Sequence, residues 1–195
     1  MATKNPQRSV LLIGKSQLVL DDALAGLRDL GYTAEATNDF TDVTVRFDVR
    51  EIDLVVFGGQ VPPDRKNELR EEIGALNPRV IFVQGLAGIP GLIVNQVQGA
   101  FPRDHQESVR APTFTPDERS IRMTLPEPAD VKVTAWWQTS FVPPDPKSDS
   151  LLLLDDRLAA GDHAIPVPEL VPRRAAFATV QVDAAMYAFS IATEQ

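Results

Sequence analysis

Short apolar runs alternate with helical patterns along the first half of the chain. Residues 9–13 form a continuous apolar run, which is typical of a strand buried on both faces of a parallel sheet. In residues 17–30 the apolar side chains recur at helical spacing, and Gly31 follows where a helix C-cap would stand. Short strands separated by helices predict an α/β domain with helices on both faces of the sheet. The other predicted strands lie at 32–37, 53–57 and 80–83, and the other helices at 41–50, 63–76 and 91–100.

The hydrophobic period changes to two in the second half of the chain. Apolar and polar residues alternate along several short segments there, as they do in strands that bury one face. Six or seven such strands within about 85 residues predict a small all-β sandwich. The candidate strands lie at 120–125, 131–138, 150–154, 163–167, 176–182 and 186–191.

The two halves also differ in composition. All but one of the 11 glycines lie within residues 1–110, and most of the 16 prolines lie within 111–195. The polar, proline-bearing stretch between them is typical of a linker. We therefore predict an α/β domain over residues 1–105, a linker over 106–116 and a β-sandwich-like domain over 117–195.

Charge and composition exclude several classes of function. The formal net charge of -8 argues against nucleic acid as a partner. The chain has no cysteine and two histidines, so thiolate chemistry and a histidine-rich metal site are excluded. No apolar run is long enough to span a membrane, and the polar start does not resemble a signal peptide. We expect a cytoplasmic protein with no membrane partner, no cofactor, no metal site and no catalytic residues.

Several sequence pieces occur in the order and spacing of a known signalling domain. Together they resemble the receiver domain of two-component response regulators, over roughly residues 9–100. The resemblance implies a CheY-like or flavodoxin-like parallel sheet. The pieces that carry it are the apolar runs at 10–13 and 53–57, Val61-Pro62, the segment 77–83 that begins with Asn-Pro, and Gly99-Ala100.

The positions that carry the chemistry of receivers are all replaced. The resemblance places the metal-binding acidic pair on Gly14 and Lys15, and the phosphoryl-accepting aspartate on Gly58. It places the hydroxyl and lysine that bind the phosphoryl oxygens on Gln84 and near Gln106. A hard divalent cation needs oxygen ligands, and phosphoryl transfer needs a nucleophile with charge compensation. The resemblance therefore implies a pseudo-receiver, with the fold and ancestry of a signalling domain but without its reaction.

Glycines and polar residues follow the strands at the carboxyl edge of the predicted sheet. In open α/β sheets this edge is where ligands bind, so a small ligand or a nucleotide is one interpretation. Permissive turns, which favour glycine, are the other. The residues of this possible ligand or interaction edge are Gly14, Lys15, Gly58, Gly59, Gln84 and Gly85.

A second possible interface lies in the predicted sandwich. Trp136 and Trp137 are adjacent in a strand, so they point to opposite faces and one is expected in the core. The other is exposed as an anchor for a partner or covered by another element. Four consecutive leucines at 151–154 need cover on both faces of their strand. These features predict a substantial apolar contact, between domains or between copies in a homodimer.

The sequence leads to one main hypothesis and one alternative. The main hypothesis is a non-catalytic, response-regulator-like protein that acts through contacts with a protein partner or with itself. The alternative is a small-ligand or nucleotide-sensing module that uses the carboxyl edge of the sheet.

Overall fold

The computed structural model of the protein describes residues 8–101, 110–140 and 147–193. The chain divides into two compact units, with the boundary between Val97 and Gln98. The first unit is an α/β domain, and the second consists of antiparallel strands.

The first unit alternates strands and helices in the predicted order. The predicted helix at 41–50 is reduced to four residues and a short 3₁₀ turn, because it begins only after Asp42, which lies in the left-handed region at φ +49°, and ends at Phe47, whose backbone is extended. The elements are β1 (Ser9–Ile13), α1 (Gln17–Asp29), β2 (Thr33–Thr37), α2 (Val43–Arg46), the 3₁₀ turn (Val49–Glu51), β3 (Leu54–Phe57), α3 (Pro63–Leu76), β4 (Ile81–Gln84) and α4 (Pro90–Ala100).

The strands of the first unit form one parallel sheet in the order β2-β1-β3-β4. Successive residues of β1 and β3 point to opposite faces, and both sets are buried, which explains their continuous apolar runs. On one face, Val43 of α2 and Leu69 and Ile73 of α3 share a core with Leu11 and Phe57 of the sheet. The structure thus confirms a parallel α/β sheet.

The helices α1 and α4 pack together on the other face of this sheet. A Cβ atom at Gly26 of α1 would lie 3.0 Å from a methyl group of Val94 in α4. The buried side chains of both helices also lie outside the core that α2 and α3 form. A right-handed crossover from β4 to a strand beyond it would need its helix on the α3 face. α4 does not have that position, and the sheet has four strands among the described residues.

Position 31 requires glycine because of its backbone conformation, and not because a side chain there would collide with a neighbour. It has φ +86°, and a Cβ atom there would meet nothing within 4 Å. We expect Gly31→Ala to lower the free energy of unfolding by about 1 kcal/mol, because a side chain strains the left-handed region. Gly74→Ala, at an equally open site inside α3, is the control and should raise it by ~0.5 kcal/mol through helix propensity. Chemical denaturation measures both, and equal shifts would contradict the conformational explanation.

The second unit contains two antiparallel sheets. Residues of both sheets, such as Ile121 and Ile165 of one and Val133 and Val180 of the other, belong to a single core, so the sheets pack face to face as a sandwich. The strands are β5 (Thr113–Thr115), β6 (Ser120–Leu125), β7 (Ala129–Ser140), β8 (Lys147–Leu158), β9 (Gly161–Pro166), β10 (Ala176–Val182) and β11 (Ala185–Ser190), in the orders β5-β6-β9 and β11-β10-β7-β8.

One strand lies inside the segment predicted as a linker. β5 falls within residues 106–116 and pairs antiparallel with the start of β6. Three residues between Pro112 and Pro116 are too few to show a period of two, so the alternation is invisible in the sequence. Residues 106–109 of the predicted linker lie outside the described part of the chain.

A β-bulge explains the four consecutive leucines of β8. Leu154 pairs with Val133 and Leu152 pairs with Thr134, which leaves Leu153 as the extra residue. The bulge breaks the period of two, so Leu151, Leu153 and Leu154 all pack against the sandwich core. Leu152 points away and is 53% exposed. Three of the four leucines are therefore partly buried against the core of the sandwich itself.

Candidate functional site

Three glycines lie side by side at the carboxyl edge of the parallel sheet. Each directly follows a strand, and its amide continues the hydrogen-bond ladder by one residue. The amides of Gly14, Gly58 and Gly85 donate to the carbonyl oxygens of Thr37, Ile13 and Phe57, at 3.1, 2.8 and 2.9 Å. The residues that follow neighbouring strands are thus held together by backbone hydrogen bonds at this edge.

The backbones at this edge approach each other closely, so a side chain at Gly58 or Gly85 would make tight contacts. A Cβ atom at Gly58 would lie 3.3 Å from the Cα atom of Gly14 and 3.4 Å from the carbonyl oxygen of Ile13. A Cβ atom at Gly85 would lie 3.3 Å from the carbonyl oxygen of Phe57. Gly58 and Gly85 therefore serve close packing. Gly59 differs, since a Cβ atom there would meet nothing within 4 Å and the residue is exposed.

Gln84 uses its side chain to complete this edge. Its Nε2 atom donates to the carbonyl oxygen of Phe57 at 3.0 Å and to that of Gly85 at 3.2 Å. The carboxamide thus satisfies backbone carbonyl groups at the ends of β3 and β4. Lys15, at the end of β1, is exposed. Gln106, which the resemblance places at the lysine position, lies outside the described residues.

A carboxylate follows β2 at the same end of the sheet, but local contacts occupy it. Asp39 accepts hydrogen bonds from the hydroxyl group of Thr41 at 2.7 Å and from its amide at 3.0 Å. It also pairs with Arg46 at 3.0 Å. The hydroxyl hydrogen bond and then the amide hydrogen bond hold the pKa of Asp39 below its ordinary value; desolvation opposes them, and the charge of Arg46 lowers the pKa by a lesser amount. Asp39 is therefore an ionised residue that shapes its own turn.

The chemistry of the edge is limited by these contacts. The order of the strands reverses between β1 and β3, so Gly14 and Gly58 flank the point where open α/β sheets bind ligands. At that point Gly14 and Gly58 contribute closely packed backbone and no side chain of their own. Across the part of the chain that the structure describes, no three acidic or histidine side chains cluster closely enough to hold a metal ion.

The two tryptophans of β7 point to opposite faces of their sheet. Trp137 is 8% exposed and lies in the sandwich core. Trp136 is half-buried on the other face, where its indole nitrogen donates to the hydroxyl oxygen of Thr179 at 2.9 Å. This hydrogen bond fixes the ring of Trp136. Its role as a partner anchor stays a prediction.

Sequence reasoning did not find Gln96, although this residue reaches the same edge. It lies in α4, and its carboxamide is bonded to the backbone of Gln84 and Leu86. A glutamine on a helix surface is an ordinary solvent-facing residue, and its partners lie 10 and 12 positions earlier in the chain. No local pattern could have identified it.

Comparisons with known proteins identify no relative of this chain. No protein-family model matches it, and no curated protein matches it. Among solved structures, a de novo designed Rossmann 2x3 fold protein is 14% identical and covers 52% of this chain and 98% of its own, with a TM-score of 0.31. An NAD kinase from Archaeoglobus fulgidus in complex with ATP is 11% identical and covers 95% and 85%, with a TM-score of 0.29. Neither likeness is close enough to support a conclusion.

None of the helices among the described residues has the length and apolar character that crossing a membrane requires.

Proposed function

We propose that the first unit is a receiver-like module without phosphoryl chemistry, and that the protein acts by binding a protein partner or a second copy of itself. One observation carries this proposal. At the end of β3, where the resemblance places the phosphoryl acceptor, Gly58 has no side chain and packs against Gly14. Without a side chain, this position offers no nucleophile for phosphoryl transfer.

The strand order supports the receiver-like interpretation. The order β2-β1-β3-β4 corresponds to the first four strands of the flavodoxin-like order 2-1-3-4-5. The position of α4 on the α1 face departs from a simple continuation of that order. The proposal is therefore a receiver-like core in which α4, the last helix, packs on the α1 face and not on the α3 face.

The expected result is that the protein takes no phosphoryl group from a small donor such as acetyl phosphate in the presence of magnesium. Intact mass spectrometry measures this, with a phosphorylatable receiver as the positive control. Gly58→Asp restores the acceptor and should also remain unmodified, because Gly14 and Lys15 supply no carboxylate for the cation. A stoichiometric gain of one phosphoryl group that maps to residues 53–60, in the wild-type protein or in Gly58→Asp, would overturn the proposal.

The same variant tests the packing at the edge. Gly58→Asp should lower the free energy of unfolding by about 1–2 kcal/mol, because the new Cβ atom must displace backbone atoms. Gly59→Asp adds the same charge next to it in open space, so it should change stability by less than ~0.5 kcal/mol. Equal losses in the two variants would indicate a charge effect and not close packing.

A ligand-sensing role is the second candidate function. It is favoured by the reversal of strand order at Gly14 and Gly58, which is where this fold class binds ligands. Thermal-shift measurements with nucleotides distinguish the two candidates. A saturable stabilisation that Gly59→Asp abolishes would support a ligand at the edge.

A further inference from the structure

The side chain of Gln96 bonds to the outer edge of β4. Its Nε2 atom donates to the carbonyl oxygen of Gln84 at 3.1 Å, and its Oε1 atom accepts from the amide of Leu86 at 3.1 Å. The intervening residue, Gly85, turns its own amide the other way, toward the carbonyl oxygen of Phe57 in β3. Gln96 therefore lies on the side of β4 that faces away from β3.

This pattern is that of a residue in a parallel strand. In an antiparallel ladder one residue exchanges both hydrogen bonds with the same partner residue. In a parallel ladder the two bonds go to the residues on either side of the partner. Gln96 bonds to Gln84 and Leu86, which flank Gly85. One carboxamide thus takes the place that one residue of a further parallel strand would have at the end of β4.

A second carboxamide, that of Gln84, makes hydrogen bonds at the same end of β4. Gln84 donates through its side chain to the carbonyl oxygens of Phe57 and Gly85. The two glutamines together fix the start of the segment 85–89, which connects β4 to α4. Beyond Gly85 this segment contains Gly88, whose lack of a side chain gives the backbone there the freedom to adopt a second conformation.

We propose that Gln96 is a conformational latch that couples α4 to the carboxyl edge of the sheet. In the closed state its carboxamide holds the start of segment 85–89 against β4. In the open state both hydrogen bonds are broken, and the carbonyl oxygen of Gln84 and the amide of Leu86 become available to another group. Two neutral hydrogen bonds between partly exposed groups can break without unfolding the sheet. This inference stands independently of the proposed function, because it requires neither a partner nor a ligand.

Amide hydrogen exchange of the full chain, read residue by residue by NMR, tests the latch. In Gln96→Ala we expect the exchange of the Leu86 amide to accelerate by about tenfold or more, because this variant removes its acceptor. The Gly85 amide, which is bonded within the sheet, should keep its exchange rate within about twofold. Gln98→Ala, a substitution of another glutamine on the same helix, is the matched control and should leave Leu86 protected.

A second variant separates the two hydrogen bonds of Gln96. In Gln96→Glu the carboxyl group still accepts from the amide of Leu86, but once ionised it no longer donates to the carbonyl oxygen of Gln84. At neutral pH the Leu86 amide should therefore exchange more slowly in Gln96→Glu than in Gln96→Ala.

Three outcomes would overturn the proposal. The exchange of Leu86 could be unchanged in Gln96→Ala, which would mean that Gln96 does not control this amide. Gly85 and Leu86 could accelerate equally, which would mean that the sheet opens as a whole. Gln98→Ala could have the same effect as Gln96→Ala, which would indicate a general loss of α4.

Discussion

Asn77→Asp is expected to lower the free energy of unfolding by about 3 kcal/mol or more, although the two side chains have the same shape. Asn77 ends α3, is 8% exposed, and donates through Nδ2 to the carbonyl oxygens of Val49 at 3.0 Å and Ile52 at 2.8 Å. A third contact, to the carbonyl oxygen of Arg50, is longer at 3.4 Å. One carboxamide therefore links the end of α3 by hydrogen bonds to the 3₁₀ turn and to the residue pair that precedes β3.

The aspartate removes every one of these donors and adds a charge among the oxygens that had accepted from them. Leaving buried carbonyl groups unpaired costs roughly 1–3 kcal/mol, and an uncompensated buried charge costs more. The surrounding oxygens should raise the pKa of the new carboxyl group above its unfolded value. The deficit relative to wild type should therefore be smallest below about pH 4, the unfolded pKa, and should grow as the pH rises from there through the folded pKa.

Urea denaturation followed by helical circular dichroism measures this effect, because α1, α3 and most of α4 lie in the first unit. Asn77→Ala serves as the control, since it removes the donors without adding a charge. Its loss of stability should be smaller at neutral pH and should not recover at acid pH. If Asn77→Asp and Asn77→Ala behaved alike at every pH, the carbonyl cluster around Asn77 would not have the role described.

Arg119→Met is expected to lower the free energy of unfolding of the second unit by about 3 kcal/mol. Arg119 is 8% exposed, and its guanidinium group donates to the carbonyl oxygens of Pro168 at 3.1 Å and Val171 at 2.8 Å. The guanidinium group also makes a longer hydrogen bond, at 3.5 Å, to the carbonyl oxygen of Val167. The amide of Val167 in turn donates to the carbonyl oxygen of Arg119 at 2.7 Å. The arginine thus holds the segment between β9 and β10 against the turn before β6.

Methionine keeps most of the apolar stem of the arginine but none of its donors, so several carbonyl groups lose their partners. Arg119→Lys keeps the charge, but its single nitrogen cannot reproduce the planar fork, so an intermediate loss is expected. Arg119 also has φ +45°, a conformation that neither substitution relieves. The difference between variants therefore reports on the guanidinium group.

The tryptophan fluorescence of Trp136 and Trp137, both in the second unit, follows this transition during denaturation. Arg122→Met is the matched control, because Arg122 is half exposed and pairs with Glu118 at the surface. Its effect should stay below ~0.5 kcal/mol. Comparable losses in Arg119→Met and Arg122→Met would contradict the assigned role of the buried guanidinium group.

The sequence alone predicted the elements whose causes are local. The predicted helix 63–76 coincides with α3, and the predicted strand 9–13 coincides with β1. Periodicity of 3.6 or 2 arises from how neighbouring residues share one buried face, so it can be read along the chain. The α/β character of the first unit and the β-strands of the second follow from the same local information.

The tertiary structure decided every feature that depends on residues distant in the chain. The β8 bulge turned three of the four leucines toward the core, and α4 packed on the α1 face instead of the α3 face. Asn77 and Arg119 meet carbonyl groups up to 28 and 52 positions away, and Gln96 reaches the end of β4. A polar side chain in a sequence carries its donors and acceptors but not their partners. Those partners exist only once strand order, register and handedness have brought distant backbone groups together.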